Sequence, residues 1–407
     1  MGIIVQKFGG TSVRNIHARR RAVQWIEQAV DQGNQPVVVV SAIGRAGDPY
    51  ATDTLLSLVT EFESQSQQEN DLLAASGEVI SAVVLATMLR SAGLPAAAFT
   101  GGQTGIITDE NFGDARILEV DPGAVRESLQ RGVIPVVAGF QGVTRQGAVA
   151  TLGRGGSDTT AVALGAALEA DRVEIYTDVD GIKTADPQIV PEARTIARLD
   201  YDEAFQLASL GARVIHPRAV ELARQFQMAL AIRSTFEDLP GTLVGNHDSY
   251  SDDWGRRRTE CSVTSITQLN GLALFDVKQP AAMRPGWLSD LFQELGQASV
   301  SVDLINLFPH QGYFCVREPL TASTESVLDR LQVPYQRFAN RSKVSVIGTA
   351  IQGLPGIVGS MMAALAEAGV EVLQSADSHL TVSLVVHSKS ANAAVTVLHH
   401  HFGLDHV

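Results

Sequence analysis

Lys7 and Phe8 end an apolar run, Ile3–Phe8, and are followed by Gly9, Gly10, Thr11 and Ser12. A cation, two permissive glycines and two hydroxyls at a strand end suit an anionic ligand, because open α/β sheets bind ligands outside the carboxyl ends of their strands. A lysine beside a surface turn is the plainer alternative. The stretch Thr151–Asp171, TLGRGGSDTTAVALGAALEAD, has the same character. Gly153, Gly155 and Gly156 allow a tight turn, and Ser157, Asp158 and Thr159 are helix N-cap types ahead of the helical run Ala161–Leu168. A helix start attracts anions through its unpaired N–H groups, and Arg154 adds a planar fork for carboxylate or phosphate. No Gly-Lys-Ser/Thr follows, so this is not a Walker A loop, and the dinucleotide spacing is absent too. An ordinary capped helix after a turn competes with the anion-site reading. Asp178, Asp180 and Asp186 cluster with Lys183 after the run Arg172–Thr177. Carboxylates beside a phosphate loop suit a magnesium nucleotide, with a polar turn as the alternative. Glu78 lies in a mostly apolar helical stretch, either as a partly buried functional acid or on a wet face.

Buried-type strands are expected at Ile3–Phe8, Pro36–Ser41, Ala96–Thr100, Ile134–Phe140, Arg172–Thr177 and Ala229–Ser234. Helical patterns alternate with them over residues 16–32, 68–90, 121–132, 201–210 and 216–227. Such alternation predicts a largely parallel sheet covered on both faces. Residues 246–264 read as a polar linker. Beyond it lies a repeat: Pro285-Gly286 and Pro355-Gly356, 70 residues apart, each head a helix, and each copy reads strand, helix, strand, strand, helix. Two copies cannot form a solenoid but can pair as α+β modules, or serve only for dimerisation. His399, His400 and His401 point to different helix faces, which favours a solvated helix end over a metal site.

A length of 407 residues allows two or three domains. With 45% hydrophobic and 18% charged residues the composition is globular, and the net charge of −13 argues against nucleic acid as partner. No apolar run approaches a membrane span and no signal peptide is evident, so a cytoplasmic protein is expected. Cys261 and Cys315 suit a reducing compartment and form no metal pattern.

The segments KFGGTSV (7–13), SAIGRAGDPYATDTL (41–55), SGE (76–78), TLGRGGSDTTA (151–161), YTDVDGIKTADP (176–187) and LGARVIHPRAVE (210–221) together resemble aspartate kinase. The likeness spans nearly the whole chain. GRAGDPYATD and QSADSH (374–379) are most similar to the Bacillus-type, diaminopimelate-sensitive form. The resemblance implies an amino-acid kinase fold, a carbamate kinase-like three-layer αβα sandwich with a mainly parallel sheet, over residues 1–245. Two ferredoxin-like α+β ACT domains follow, over 265–340 and 341–407, with the first strand of a module contributed across the repeat boundary.

The activity implied is transfer of the ATP γ-phosphoryl group to the side-chain carboxylate of L-aspartate. The product, 4-phospho-L-aspartate, leads to lysine, diaminopimelate, threonine and methionine, under feedback by a pathway amino acid. Carried onto this sequence, Lys7, Asp158 and Arg154 are catalytic. Thr52, Glu78, Arg154, Gly155, Gly156 and Ser157 bind aspartate, with Arg154 on its α-carboxylate and Glu78 on its ammonium. Lys7, Phe8, Gly9, Gly10, Ser12, Ser41, Thr177, Asp178, Lys183, Asp186 and Pro187 lie along ATP and Mg2+, with no dedicated metal site. Lys183 stands where the family commonly has tyrosine. An amino-acid effector, diaminopimelate, lysine or threonine, falls to Met283, Gly286, Ser301, Asp303, Asn306, Gln374, Ser375 and Asp377, and ACT pairing implies a homodimer or higher even assembly. Another amino-acid kinase, acting on glutamate, acetylglutamate or uridylate, is the alternative enzyme. A catalytically silent amino-acid sensor is the alternative of a different class.

Overall fold

The computed structural model describes residues 2–62, 66–212, 214–246, 263–280, 286–349, 351 and 355–406. The chain divides into two compact units that do not follow chain order. One comprises Met1–Ile182, Thr195–Ser209 and Arg213–Ser251, the other Lys183–Arg194, Leu210–Ala212 and Asp252–Val407.

The first unit is built on an eight-stranded sheet. Its order is Arg198–Leu199, Thr242–Val244, Leu230–Ser234, Arg172–Thr177, Ile3–Phe8, Gln35–Val40, Ile134–Ala138, Ala96–Phe99. Every neighbouring pair is parallel except Leu230–Ser234 with Thr242–Val244. The apolar runs read from the sequence are these strands, and their lack of alternation reflects burial on both faces. Phe8, Val38, Val40, Val136 and Ala138 share a core with Val23, Trp25 and Ile26 of the helix Ile16–Asp31 and with Leu85 and Leu89 of the helix Gln67–Ser91. On the other face Val173 meets Gly165 of the helix Gly156–Leu168, and Gly139 lies close to both Val39 and Ser157; the helix is buried over most of its length. These are the three expected layers. A four-stranded sheet, Ile117–Val120, Ile106–Thr108, Gln141–Thr144 and Val149–Thr151, was not expected; its strands are too short to carry a periodic signal.

Two expectations need correction. The helix Gln67–Ser91 is long and apolar enough to cross a membrane. Polar residues within it hide this from a scan for unbroken apolar runs. Half of its most apolar window is buried inside the protein, and it holds the buried acids Asp71 and Glu78. The helix after the glycine-rich loop starts at Gly156 with Gly155 as its N-cap, not at the Ser157–Thr159 cap types.

The second unit carries a six-stranded sheet: Asp303–Phe308, Gln311–Arg317, Ser265–Lys278, Tyr335–Ile347, Thr381–His387 and Val372–Asp377. The two central strands, longer than expected, pair antiparallel, so the two repeat copies share one continuous sheet. Helices Trp287–Gln297 and Thr321–Arg330 complete one copy, and Ile357–Glu367 and Ala391–His401 the other. The strand Ser265–Lys278 serves both cores. Ile266 packs with Val344, Leu365 and Leu398, whereas Ala273, Phe275 and Val277 pack with Trp287, Leu291 and Phe314. Ala185, Val190 and Ala193 also belong to the core that holds Ile266. His399 corrects the solvated-end reading for one of the three histidines. It is fully buried, with Nε2 2.9 Å from the Thr184 hydroxyl, while His400 and His401 are exposed.

Candidate active site

The strands Ile3–Phe8, Gln35–Val40 and Ile134–Ala138 end level with one another, since Phe8 registers with Val40 and Val40 with Ala138. Beyond their carboxyl ends lies a cavity of about 510 Å3. Lys7, Gly10, Ser41, Thr52, Glu78, Arg154, Gly155, Gly156, Ser157 and Asp158 all line it, joined by Arg45, Asp53 and Phe140. Residues from five separate stretches of sequence thus meet at one opening.

Lys7 Nζ sits 2.6 Å from Asp158 Oδ1, and both side chains are nearly buried. Asp158 reaches the pair from the first turn of the helix Gly156–Leu168, whose N-cap, Gly155, offers no side-chain acceptor. Gly155 adopts a left-handed conformation, φ +71°, and a Cβ there would fall on the His216 side chain. Gly10 has no room for a Cβ either, because the carbonyl oxygen of Gly44 occupies that space. The loop after Gln35–Val40 therefore lies directly against the Lys7–Gly10 segment, and Gly44 N–H bonds to Gly10 O at 3.0 Å.

Glu78 is buried. Its Oε1 accepts the Ala42 N–H at 3.0 Å, and Oε2 has no hydrogen-bond partner among the described residues. Burial pushes its pKa up to about 8, against the opposing pull of the Ala42 N–H. Gly77 lets this happen, because a Cβ there would press on Ala42 and the Tyr50 carbonyl.

The remaining nucleotide-side expectations divide. Phe8 is core, stacked on Tyr176 at 4.8 Å. Gly9 N–H and the Ser12 hydroxyl both donate to Tyr176 O at 3.2 Å, so they brace adjacent strand ends. Thr177 and Asp178 close the neighbouring strand, where Asp178 pairs with Arg45 at 2.6 Å. Lys183, Asp186 and Pro187 belong to the segment Lys183–Arg194 of the second unit and do not line the cavity. Of the effector-side residues, Met283 lies outside the described residues. Gly286 is the left-handed N-cap of Trp287–Gln297, at φ +105°. Asn306 donates to Ser375 O at 3.2 Å, Gln374 donates to Leu304 O, and Asp303 pairs with Lys343. Ser301 and Asp377 are exposed.

Three supporting residues were not singled out from the sequence. Asp71 Oδ2 accepts the N–H groups of Thr151 (2.6 Å) and Gly113 (2.9 Å), and Oδ1 accepts the Thr151 hydroxyl at 2.9 Å. It fixes the strand that leads into the glycine-rich loop. Arg218 donates to Leu152 O at 2.8 Å and to Asp114 at 3.0 Å, clamping the same loop. His216 packs under Gly155, and its burial lowers its pKa. His216 and Arg218 lie inside the motif LGARVIHPRAVE, so a signal was present; Asp71 offered none.

Residues 2–234 match the amino acid kinase family and residues 339–400 an ACT domain. Aspartokinase 1 of Bacillus subtilis is 41% identical over 406 residues, which is 99% of this chain and 100% of that protein. The chain belongs to the aspartokinase family. An aspartokinase of Thermus thermophilus is 36% identical, with 100% of both chains covered. Among solved structures, aspartate kinase from Synechocystis is 36% identical with a TM-score of 0.54, covering 98% of this chain and 69% of its own. E. coli aspartokinase III in complex with aspartate and ADP has a TM-score of 0.79 at 24% identity, over 98% and 99% of the two chains, and shares the fold. The activity of the chain is that of an aspartate kinase.

Asp71 gives a test of the loop support. Asp71→Ala leaves the Thr151 and Gly113 donors unpaired. Urea denaturation is expected to show a loss of about 2–4 kcal/mol in stability, consistent with stranding several buried donors. A loss under about 0.5 kcal/mol, the range of ordinary surface substitutions, would show that Asp71 carries no such load.

Proposed function

We propose that the cavity binds L-aspartate and ATP side by side and transfers the γ-phosphoryl group to the aspartate side-chain carboxylate, giving 4-phospho-L-aspartate and ADP. The observation that carries this reading is the convergence on one cavity of the Lys7–Asp158 pair, the Arg154 loop and Glu78, a buried acid with one oxygen unpartnered. The complex of E. coli aspartokinase III with aspartate and ADP, on the same fold, agrees with it.

The nucleophile is already ionised, its reference pKa being about 3.9, so no strong base is needed. The obstacle is repulsion between two anions. Lys7 and the uncapped start of Gly156–Leu168 face the transferring group and offset its charge. Asp158 holds the Lys7 ammonium in place. Arg154 grips the α-carboxylate with two parallel bonds, while Glu78 takes the ammonium on Oε2 and Thr52 contacts the substrate from the start of the helix Thr52–Ser57. Ser41 and Gly10 line the nucleotide side, and Gly9 and Ser12 keep that edge rigid. Asp178 would hold a Mg2+ ion brought in with the phosphates, and the ion would supply charge neutralisation there.

We further assign the tail to feedback control by an amino acid of the lysine, threonine and methionine pathways, bound near Gly286, Asp303, Asn306 and Gln374–Asp377. Exposed Ile305, Leu307, Phe308 and Leu373 on the two outer strands support pairing of these modules into a dimer. Buried, unbonded Cys315 agrees with a cytoplasmic setting.

Release of ADP with aspartate, glutamate or acetylglutamate as acceptor tests the reading; no aspartate-dependent ADP at any magnesium level removes it. Lys7→Ala is expected to lower kcat on the order of a hundredfold with little change in the aspartate KM, because the charge acts on the moving group. A change confined to the aspartate KM contradicts that role. Arg154→Lys is expected to lose most activity, since an ammonium cannot form the bidentate pair; near wild-type kinetics would contradict it.

Glu78 gives a pH signature. Its folded pKa is raised to about 8, so at pH 7 the empty site is mostly protonated and must lose that proton to receive an ammonium. Aspartate affinity is therefore expected to rise between pH 6 and 8, by up to about tenfold per unit, and to level off above. Binding at pH 7 should release a proton, measurable by calorimetry in buffers of different ionisation enthalpy. Glu78→Gln should abolish both effects; proton release that survives the substitution assigns it elsewhere.

A further inference from the structure

The guanidinium of Arg45 projects at the rim of the cavity and takes no part in the mechanism above. It sits on a loop bounded by two left-handed glycines, Gly44 at φ +91° and Gly47 at φ +92°. The loop backbone is firmly held. Asp48 accepts the Arg45 N–H at 2.8 Å and is itself gripped by Arg14 through two bonds of 2.9 and 3.2 Å. That donor set keeps the Asp48 carboxyl below its ordinary pKa, with the Arg45 N–H as the main cause. Gly47 N–H bonds the Thr54 hydroxyl at 3.1 Å, tying the loop to the helix that carries Thr52.

Only the side chain is left to move. Its guanidinium meets a carboxylate oxygen of Asp178 at 2.6 Å, yet it remains 65% exposed and its partner 37%. An exposed pair of this kind is worth little in water. A polyphosphate offers the same fork several charged oxygens, and a cation carried with it offers Asp178 a better partner than an arginine.

We propose that Arg45 is a phosphate-contacting residue held on Asp178 in the empty site, and that nucleotide entry exchanges its partner. The fork leaves Asp178 for the polyphosphate, and the freed Asp178 turns to the accompanying divalent cation. Asp178 is thus a competitor for Arg45 when no metal is present and a ligand when it is. This inference rests on the cavity being the nucleotide site.

The test is ADP binding to the full chain in EDTA, measured by calorimetry. Arg45→Ala is expected to weaken metal-free ADP about tenfold, the worth of one charge-assisted contact. Asp178→Asn is expected to tighten it severalfold, because it releases the fork and removes a repelling charge. The double variant should match Arg45→Ala, and Arg45→Lys should recover part of the loss. Unchanged melting temperatures in all variants separate binding from folding, which the exposure of both side chains favours. If both single variants weaken ADP alike, the pair merely braces the loop, and the inference is overturned. It is overturned equally if neither changes binding. Wild-type turnover keeps the two levels apart: an active enzyme indifferent to both substitutions loses only the Arg45 exchange, whereas absence of aspartate-dependent ADP release removes the reading beneath it.

Discussion

The 2.6 Å pair between Lys7 and Asp158 is the contact on which the catalytic unit depends. It joins the end of one sheet strand to the first turn of the helix packed on that sheet, so it fixes the distance between two sources of positive potential. A carboxylate beside the lysine of the cavity looks self-defeating in a site built for anions. Yet an ammonium on a four-carbon stem is a mobile point charge, and a single buried partner gives it one position. The helix start then contributes its N–H groups without any charge to neutralise. The chain carries a net charge of −13, and the cavity itself holds Asp53, Glu78 and Asp158 against Lys7, Arg45 and Arg154. On the proposed function, any attraction for a triphosphate comes from the arrangement of donors, not from an excess of cations.

Asp71 and Glu78 show how one helix assigns different work to two buried acids. They are seven residues apart on Gln67–Ser91, so they sit two turns apart on nearly the same side. Asp71 receives three donors from the loop and strand it anchors, and its acceptor capacity is largely spent on structure. Glu78 receives one, from Ala42, and its second oxygen is buried without a hydrogen-bond partner. A buried carboxylate left half satisfied is costly, which is why its proton is held so tightly in the empty site. On the function proposed above, a cationic ligand relieves that cost. The number of donors each acid meets, not its residue type or its burial, distinguishes the two.

What could be read from the sequence follows the range of the interactions involved. The strands Ile3–Phe8 and Arg172–Thr177 and the helix Tyr201–Leu210 match their expected limits, because local apolar patterning decides them. Lys7, Glu78, Arg154 and Asp158 were legible as candidates because each stands beside glycines at an element boundary or within a helix. The cap lies at least two residues before the expected Ser157–Thr159, because Gly155 outcompetes the hydroxyl and carboxyl caps once its positive φ is required beside His216. Asp71 was invisible because its three partners lie about 40 and 80 residues away, beyond any spacing argument. The same holds for Lys183–Arg194. Lys183 and Asp186 read with Asp178 and Asp180 as a nucleotide-side cluster, while Ala185, Val190 and Ala193 supply apolar side chains to the core of the second unit, which no local pattern announces.

The repeat in the tail is visible in the sequence, and copies 70 residues apart are expected to pair as α+β modules. The strand Ser265–Lys278 shows how closely they are joined. Ile266 near one end is built into one core while Phe275 near the other is built into the second, and the strand pairs along most of its length with Tyr335–Ile347. A β-strand cannot slide by one residue without turning its buried side chains outward. Any displacement at one core must therefore be carried by the whole strand or absorbed at the register shifts between Leu269 and Leu274, where Gly271 takes a positive φ. The tail is better understood as one continuous sheet than as two domains in a row.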